Sequence, residues 1–380
     1  MEFTALRREP DVDGTGLAAY DAADRLLLDE AAGALAAAEP GTVVVIGDTH
    51  GALALGAASD HALVGIRAHQ DALLGERAIT ANAERLGLGA AVRTLPLGPE
   101  LVSGARVVLL RLPRSLDQLD EVAALIAEHA DPEAVVFAGG RLKHMTTAMN
   151  DVLLRRFGRL DVSHARQKSR VLVAREPIRP PGGRDDTDAP WPRRAHDDAL
   201  DLDVVAHAGA FAGASVDIGT RFLIEQLPHA LEGSPAPARA IDLACGTGLV
   251  AVALARLLPG ARVEAFDQSA VAVASARLTA AANGVGDRIV VDRADGLEAV
   301  GDGEADLVVL NPPFHAGGTI TTALAERLFA DAGRALAPGG RLVAVWNSHL
   351  RYRPVLERHV GRTRQVARDP KFTITASTRG

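Results

Sequence analysis

Short, nearly continuous apolar runs alternate with longer Ala- and Leu-rich stretches along the whole chain. In the first half the runs are TVVVIGDTHG, HALVGIRA, ARVVLLRL and AVVFAGG. In the second they are ARAIDLACG, ARVEAFDQ, DRIVVDRA, ADLVVLNPP and GGRLVAVWN. Apolar strands separated by helical segments indicate parallel sheet covered on both faces. The pattern breaks at PIRPPGGRDDTDAPWPRRAHDDAL, which is dense in Pro, Gly, Asp and Arg. Such a stretch has too little apolar surface to fold alone and is expected to be a linker or exposed loop. The chain is therefore predicted to be α/β twice over, with domains at residues 1–176 and 204–380 and a linker at 177–203.

Length agrees, since 380 residues is two domains at roughly 100–200 residues each. No apolar run approaches the ~20 residues that span a bilayer, and MEFTALRREP lacks the apolar core of a secretory signal. A single cysteine, Cys245, rules out an internal disulfide framework and any CxxC zinc or redox site. The expected location is the cytoplasm. A net charge of −7 argues against nucleic-acid binding by bulk charge but permits local basic patches.

The halves resemble each other. Ala105–Ser115 (ARVVLLRLPRS) aligns with Ala305–His315 (ADLVVLNPPFH) at an offset of 200, and VIGDTHG aligns with DLACGTG at 197. Gly158 and Lys168 precede SRVLVA just as Gly361 and Lys371 precede FTITAS, at an offset of 203. Three agreements in order and spacing point to duplication. The copies differ where chemistry is concerned: Asn311-Pro312-Pro313-Phe314 is matched by Arg111-Leu112-Pro113-Arg114, and Asp242 by Val45.

In the second copy Asp242-Leu243-Ala244-Cys245-Gly246-Thr247-Gly248 ends a strand and opens a helix. Glycines there let the backbone turn tightly and approach a ligand. The next strand ends at Asp267, followed by Gln268. A carboxylate in that place can accept from both hydroxyls of a ribose. The third strand ends at Asp295-Gly296, where a carboxylate could receive an adenine amino hydrogen. Any one of these aspartates alone is better explained as a solvated strand end or helix cap. Three in register suggest a nucleoside-cofactor site. The glycine spacing lacks the GxGxxG of dinucleotide enzymes.

The fourth strand runs into Asn311-Pro312-Pro313-Phe314. Two prolines fix the backbone and remove two N–H donors. The Asn311 side-chain oxygen and the Pro312 carbonyl can then both accept from one –NH2 group, while Phe314 offers a flat face to an unstacked base. That combination suits a planar exocyclic amine presented to an electrophile.

Together DLACGTG, Asp267, Asp295 and NPPF resemble the class I S-adenosylmethionine-dependent amino-methyltransferases. NPPFHAG, FAGASVDIGTRFLIEQL, NSHLRYRPVLE and KFTITAS are similar, more narrowly, to the tandem-domain ribosomal RNA guanine-N2 methyltransferases. The resemblance implies two tandem Rossmann-like domains, the first degenerate and given to RNA binding. It also implies S-adenosyl-L-methionine as cofactor and methyl transfer to N2 of a guanosine in 16S or 23S rRNA, free or in a ribosomal subunit. Asp217, Gly219 and Thr220 would lie beside the cofactor.

Local charge supports an RNA substrate. Residues 141–184 hold eleven Lys/Arg against three Asp/Glu, and 341–379 hold nine against two. Such segments can hold phosphates; the competing explanation is that acids elsewhere in the fold balance them. His144, His207 and His315 lack metal-ligand spacing, and no Ser-His-Asp or Walker pattern occurs. Two alternatives stay open. One is methylation of adenine N6, a protein glutamine or a small amine; the other is a non-catalytic RNA-binding assembly factor.

Overall fold

The computed structural model describes residues 1–11, 17–179, 191–313 and 318–380, and for 318–322 the backbone only. The chain divides into two compact units, Met1–Pro190 and Trp191–Gly380. In the first, β1 (Val43–Ile46), β2 (Ile66–His69), β3 (Val92–Thr94), β4 (Val107–Arg111), β5 (Val135–Arg141), β6 (Phe157–Val162) and β7 (Ser169–Pro177) form one sheet in the order β3-β2-β1-β4-β5-β7-β6. The second begins with a hairpin, β8 (Arg193–Asp197) and β9 (Leu202–Ala206). Its sheet comprises β10 (Arg239–Leu243), β11 (Arg262–Asp267), β12 (Ile289–Arg293), β13 (Ala305–Leu310), β14 (Leu336–Asn347), β15 (Gly361–Arg368) and β16 (Phe372–Arg379). Its order, β12-β11-β10-β13-β14-β16-β15, repeats the first. In each sheet the first five strands of that order pair in parallel, and the sixth, β7 or β16, pairs antiparallel with both of its neighbours.

Alternate residues of the apolar strands point to opposite faces, so each sheet carries two cores. In the second unit Ile241, Leu243, Val308 and Leu310 pack with Phe329 on one face. Ala240, Val263, Leu307 and Val309 pack with Leu249 and Leu254 on the other. The first unit repeats this with Val44, Ile46, Val108 and Leu110 against Leu119 and Ile126, and Val43, Val45 and Leu109 against Leu27 and Leu53.

Strand register makes the duplication explicit. Ile46 pairs with Leu110 and His69, and Leu243 pairs with Leu310 and Phe266. Those equivalences reproduce the offsets of 197 and 200 seen in the sequence. Likewise Val108 pairs with Val136 and Val308 with Leu342, which makes Arg141 the counterpart of Asn347. A 3-10 turn follows each, Leu142–His144 and Ser348–Leu350.

The expected linker differs from what is found. Its first part, from Pro177, ends β7, residues 180–190 lie outside the described residues, and from Arg193 the chain is the β8–β9 hairpin of the second unit. The outer edge of β9 is satisfied by side chains of the helix Ala270–Ala282 and its C-cap. Val205 exchanges hydrogen bonds of 3.0 Å with Thr279 Oγ1 in both directions. His207 N–H donates to Ser275 Oγ at 3.1 Å, and Asp203 N–H to Asn283 Oδ1 at 3.1 Å. Residues four apart lie on one helix face, so Ser275, Thr279 and Asn283 form a polar row that replaces a partner strand. Among the described residues no helix is long and apolar enough to cross a membrane.

Candidate active site

Parallel strands deliver their carboxyl ends to one edge of the sheet, where α/β folds place ligands. At that edge β10 turns into the helix Leu249–Leu257 through Ala244, Gly246 and Gly248, with φ of 58°, 53° and 79°. For a non-glycine residue this left-handed backbone costs about 1–2 kcal/mol, so Ala244 is held there by its surroundings. A Cβ on Gly248 would lie 2.8 Å from that of Ala276, whereas one on Gly246 would meet nothing within 4 Å. Gly248 is therefore fixed by helix packing, and Gly246 leaves open space over its peptide.

Asp267 braces this loop. Its Oδ2 accepts from Gly246 N–H at 3.0 Å and its Oδ1 from Ser269 N–H at 2.9 Å. A carboxylate only accepts, so Asp267 holds the loop through both of its oxygens. Gln268 contributes its carbonyl, which accepts from Arg293 Nε at 3.2 Å. Asp242 differs from expectation. It is 2% exposed, and its Oδ2 accepts from Ala251 N–H at 2.9 Å, so it caps the helix from beneath the loop. Burial, reinforced by the nearby Asp267 charge, pushes its carboxyl up to about 8. Asp242 is thus a positioning residue. Burial also pushes the Cys245 thiol well above its ordinary range.

Asp295, expected to meet an adenine amine, is held by Arg327 in a fork with both bonds at 2.6 Å. A ligand would have to share that carboxylate with the guanidinium. Gly296 (φ 60°) is explained by packing, since a Cβ there would collide with Asp331 Oδ2.

The polar end of β13 is oriented by the first turn of the helix Ile218–Leu231. Asp217 caps that helix, accepting from Thr220 N–H at 3.1 Å, with the Thr220 hydroxyl 3.5 Å from the same oxygen. Asn311 Nδ2 donates to Thr220 Oγ1 at 3.0 Å. A carboxylate only accepts, so the hydroxyl proton faces Asp217 and its lone pair takes the amide hydrogen. Asn311 Oδ1 is thereby turned the other way, and it is buried with no partner among the described residues. An orphaned buried acceptor costs about 1–3 kcal/mol, and an incoming N–H donor relieves that cost. Gly219 is close-packed, as a Cβ would come within 3.1 Å of Asp217 and 3.2 Å of the Phe372 ring. Pro312 is buried and Pro313 exposed. Phe314 and His315 lie outside the described residues.

The first unit has the same framework with the site replaced. Val45, fully buried, stands at the position of Asp242. Asp48, equivalent to Cys245, caps the helix instead, accepting from Gly51, Leu53 and Ala54 N–H at 3.0, 3.2 and 2.8 Å. Gln70 replaces Asp267 and donates to the Asp48 carbonyl at 2.8 Å. Arg111 replaces Asn311 and is paired with Asp24 at 2.6 Å and Asp21 at 3.0 Å.

Five arginines of the basic run 141–184 are ion-paired within the fold. Arg155 and Arg156 pair with Asp120, Arg159 and Arg175 with Asp161, and Arg166 with Asp29 and Glu30. Asp120, Asp29 and Glu30 are distant in sequence from the arginines they pair with, whereas Asp161 lies within the run. The Asp295–Arg327 fork and the cap of Ser269 were also invisible in sequence, because nothing in local periodicity marks them. Among the described residues no cluster of His, Cys, Asp or Glu is arranged to hold a metal ion.

Comparison with known proteins agrees with this division. Residues 201–376 match the family described as Methyltransferase small domain, and residues 1–177 match the RLMG N-terminal domain. Ribosomal RNA large subunit methyltransferase G of Pseudomonas aeruginosa is 37% identical over 97% of this chain and 96% of its own. The protein of the same name from Streptomyces coelicolor is 38% identical over the same shares. Among solved structures, the T. thermophilus 16S rRNA N2 G1207 methyltransferase, in complex with AdoMet and guanosine, superposes with a TM-score of 0.72. It is 21% identical and covers 95% of this chain and 92% of its own, a likeness of fold across both units. With relatives this similar from end to end, the chain belongs to the ribosomal RNA large subunit methyltransferase G family.

Proposed function

We propose that this protein transfers a methyl group from S-adenosyl-L-methionine to the exocyclic N2 amine of a guanosine in large-subunit ribosomal RNA. The observation that carries this reading is Asn311 Oδ1 at the end of β13, buried and without a partner among the described residues. It is an acceptor fixed in direction by Thr220 and Asp217 beside a proline that has no N–H of its own. A guanine –NH2 supplies the missing donor. Family membership supports the nucleic acid, and the name of the structural neighbour supports guanine N2 as the acceptor atom.

The cofactor fits the residues present. Asp267 has lone pairs for ribose hydroxyls, and the Gly246 peptide borders open space. When bound, S-adenosyl-L-methionine supplies a sulfonium methyl that is already strongly electrophilic. What remains for the protein is alignment. Asn311 Oδ1 and the Pro312 carbonyl accept from the two amine hydrogens, which directs the nitrogen lone pair away from them. The neutral –NH2 need not lose a proton before it attacks. As the N–C bond forms the methyl–sulfur bond breaks, and the methylated nitrogen then releases one proton to solvent, so a base of matched pKa is unnecessary. Phe314, by its place in the motif, is assigned to stacking on the base. The test is methyl transfer to purified large-subunit rRNA, with nucleoside mass spectrometry of the product. N2-methylguanosine formed by the wild type and absent with Asn311→Ala is expected, and equal turnover by the variant would overturn the assignment.

A further inference from the structure

The first unit holds a cavity of about 380 Å³ at the place of the second unit's amine site. Its wall includes Arg111 and Arg114, the counterparts of Asn311 and Phe314, together with Arg141, Lys143 and His144 after β5. A glycine opens it. Gly140 is the counterpart of Trp346, whose indole packs edge-on against Tyr352 with ring centres 6.0 Å apart. A Cβ on Gly140 would point at Leu112 and Met145, two further walls of the cavity. Where the second copy carries an indole, this one carries no side chain.

The charges around it are of two kinds. Arg111 is spent internally on Asp21 and Asp24. Arg114, Arg141 and Lys143 face the cavity with no acidic partner among the described residues, and the buried Nε of Arg141 has no acceptor. Desolvation and then the charges of Arg114, Lys143 and Arg141 hold the exposed His144 imidazole below its ordinary range, with Asp21 acting weakly in the opposite sense. Uncompensated cations around a concavity attract an anion of matching size. This contrasts with the ion-paired arginines of β6 and β7, which are satisfied without a ligand.

We infer that this retired methylation pocket is a binding site for a phosphodiester group of RNA, with Arg114, Arg141 and Lys143 as its ligands. The inference rests on the proposed rRNA substrate. Phosphate contacts set affinity and position without reading sequence, which suits a unit that holds the RNA while the other modifies it.

The test uses the full chain, wild type and Arg114→Ala/Lys143→Ala, both changes at exposed side chains. Binding to large-subunit rRNA is measured against salt, methyl transfer is followed in the same samples, and inorganic phosphate is titrated against the His144 imidazole resonance. The expected result is several-fold weaker RNA binding by the variant, with a log–log salt slope lower by about 0.7–0.9 for each phosphate no longer neutralised. Phosphate should raise the His144 titration midpoint in the wild type and not in the variant. Unchanged RNA affinity and slope would overturn the proposal. A phosphate response with unchanged RNA binding would overturn the RNA assignment in favour of a small free anion. Failure of the wild type to methylate rRNA is a separate result, and it would sink the functional reading on which this one stands.

Discussion

The side chain of Asn311 donates to Thr220 Oγ1 at 3.0 Å, and this bond decides which end of the amide is left to accept. In the first unit Arg111 stands in place of Asn311 and pairs with Asp24 at 2.6 Å, so a donor stands where the amide oxygen would be. Thr220→Val should therefore lower methyl transfer by one to two orders of magnitude. Losing a buried polar partner costs about 1–3 kcal/mol, and the freed amide can turn its nitrogen toward the amine. S-adenosyl-L-methionine affinity, measured by calorimetry, should stay within several-fold. Thr220→Ser, which keeps the hydroxyl, should restore most of the rate; a slow serine variant would count against orientation as the cause.

Asp267 braces Gly246 and Ser269, and under the proposed function it also accepts from the ribose. Asp267→Ala should weaken S-adenosyl-L-methionine binding by about 1.5–3 kcal/mol, the worth of hydrogen bonds to a charged group. Calorimetry reads this directly. Binding as tight as wild type would place the ribose elsewhere.

The Asp295–Arg327 fork predicts coupling between two residues distant in sequence. Bidentate geometry puts the pair above most surface ion pairs, although Arg327 is 41% exposed, so about 1 kcal/mol of interaction is expected. A double-mutant cycle on Asp295→Ala and Arg327→Ala, read by thermal unfolding and by cofactor affinity, measures it. Additive effects in both would show that the fork does not position the loop.

The sheet and the strand-end residues were legible because they depend on local pattern: LVVL followed by NPP, or IDLACGTG, states its own turn and its own burial. The offsets of 197 and 200 were legible for the same reason. The β8–β9 hairpin was not, since RRAHDDALDLDVVA is polar and its edge is completed by Ser275, Thr279 and Asn283 from a helix far along the chain. Counting basic residues could not tell which are ion-paired, because Asp120 and Asp29 pair with arginines distant from them in sequence. Whatever depended on such remote partners needed the fold.

Asp242 gives a pH dependence with a definite sign. Its folded-state carboxyl titrates at about 8, against about 3.9 in an unfolded chain. Between those values the folded protein binds a proton the unfolded chain has released, so stability falls as pH rises from about 4 to about 8 and then levels off. The slope from this group is at most about 1.4 kcal/mol per pH unit. Asp242→Asn keeps an oxygen for Ala251 N–H and removes the proton, so the variant should lose this part of the slope and gain stability near pH 8. Thermal midpoints from pH 5 to 8 check it, and parallel curves for wild type and variant would refute it.

Cofactor stoichiometry separates the two units. The carboxylate of Asp267, proposed to accept from the ribose, becomes the neutral amide of Gln70, which is turned onto the Asp48 carbonyl at 2.8 Å. The Asp48 carboxylate is consumed by three helix N–H groups, and the amine acceptor is replaced by the Arg111 guanidinium, a donor only. Each change removes an acceptor that a nucleoside or an amine would need. Reversal by one substitution is therefore not expected, and Gln70→Asp alone should not create a second site. Calorimetry of the full chain should give one S-adenosyl-L-methionine bound per molecule, a site that Asp267→Ala weakens and Gln70→Ala leaves unchanged. Two equivalents in the wild type would mean that the first unit still binds cofactor through groups other than these.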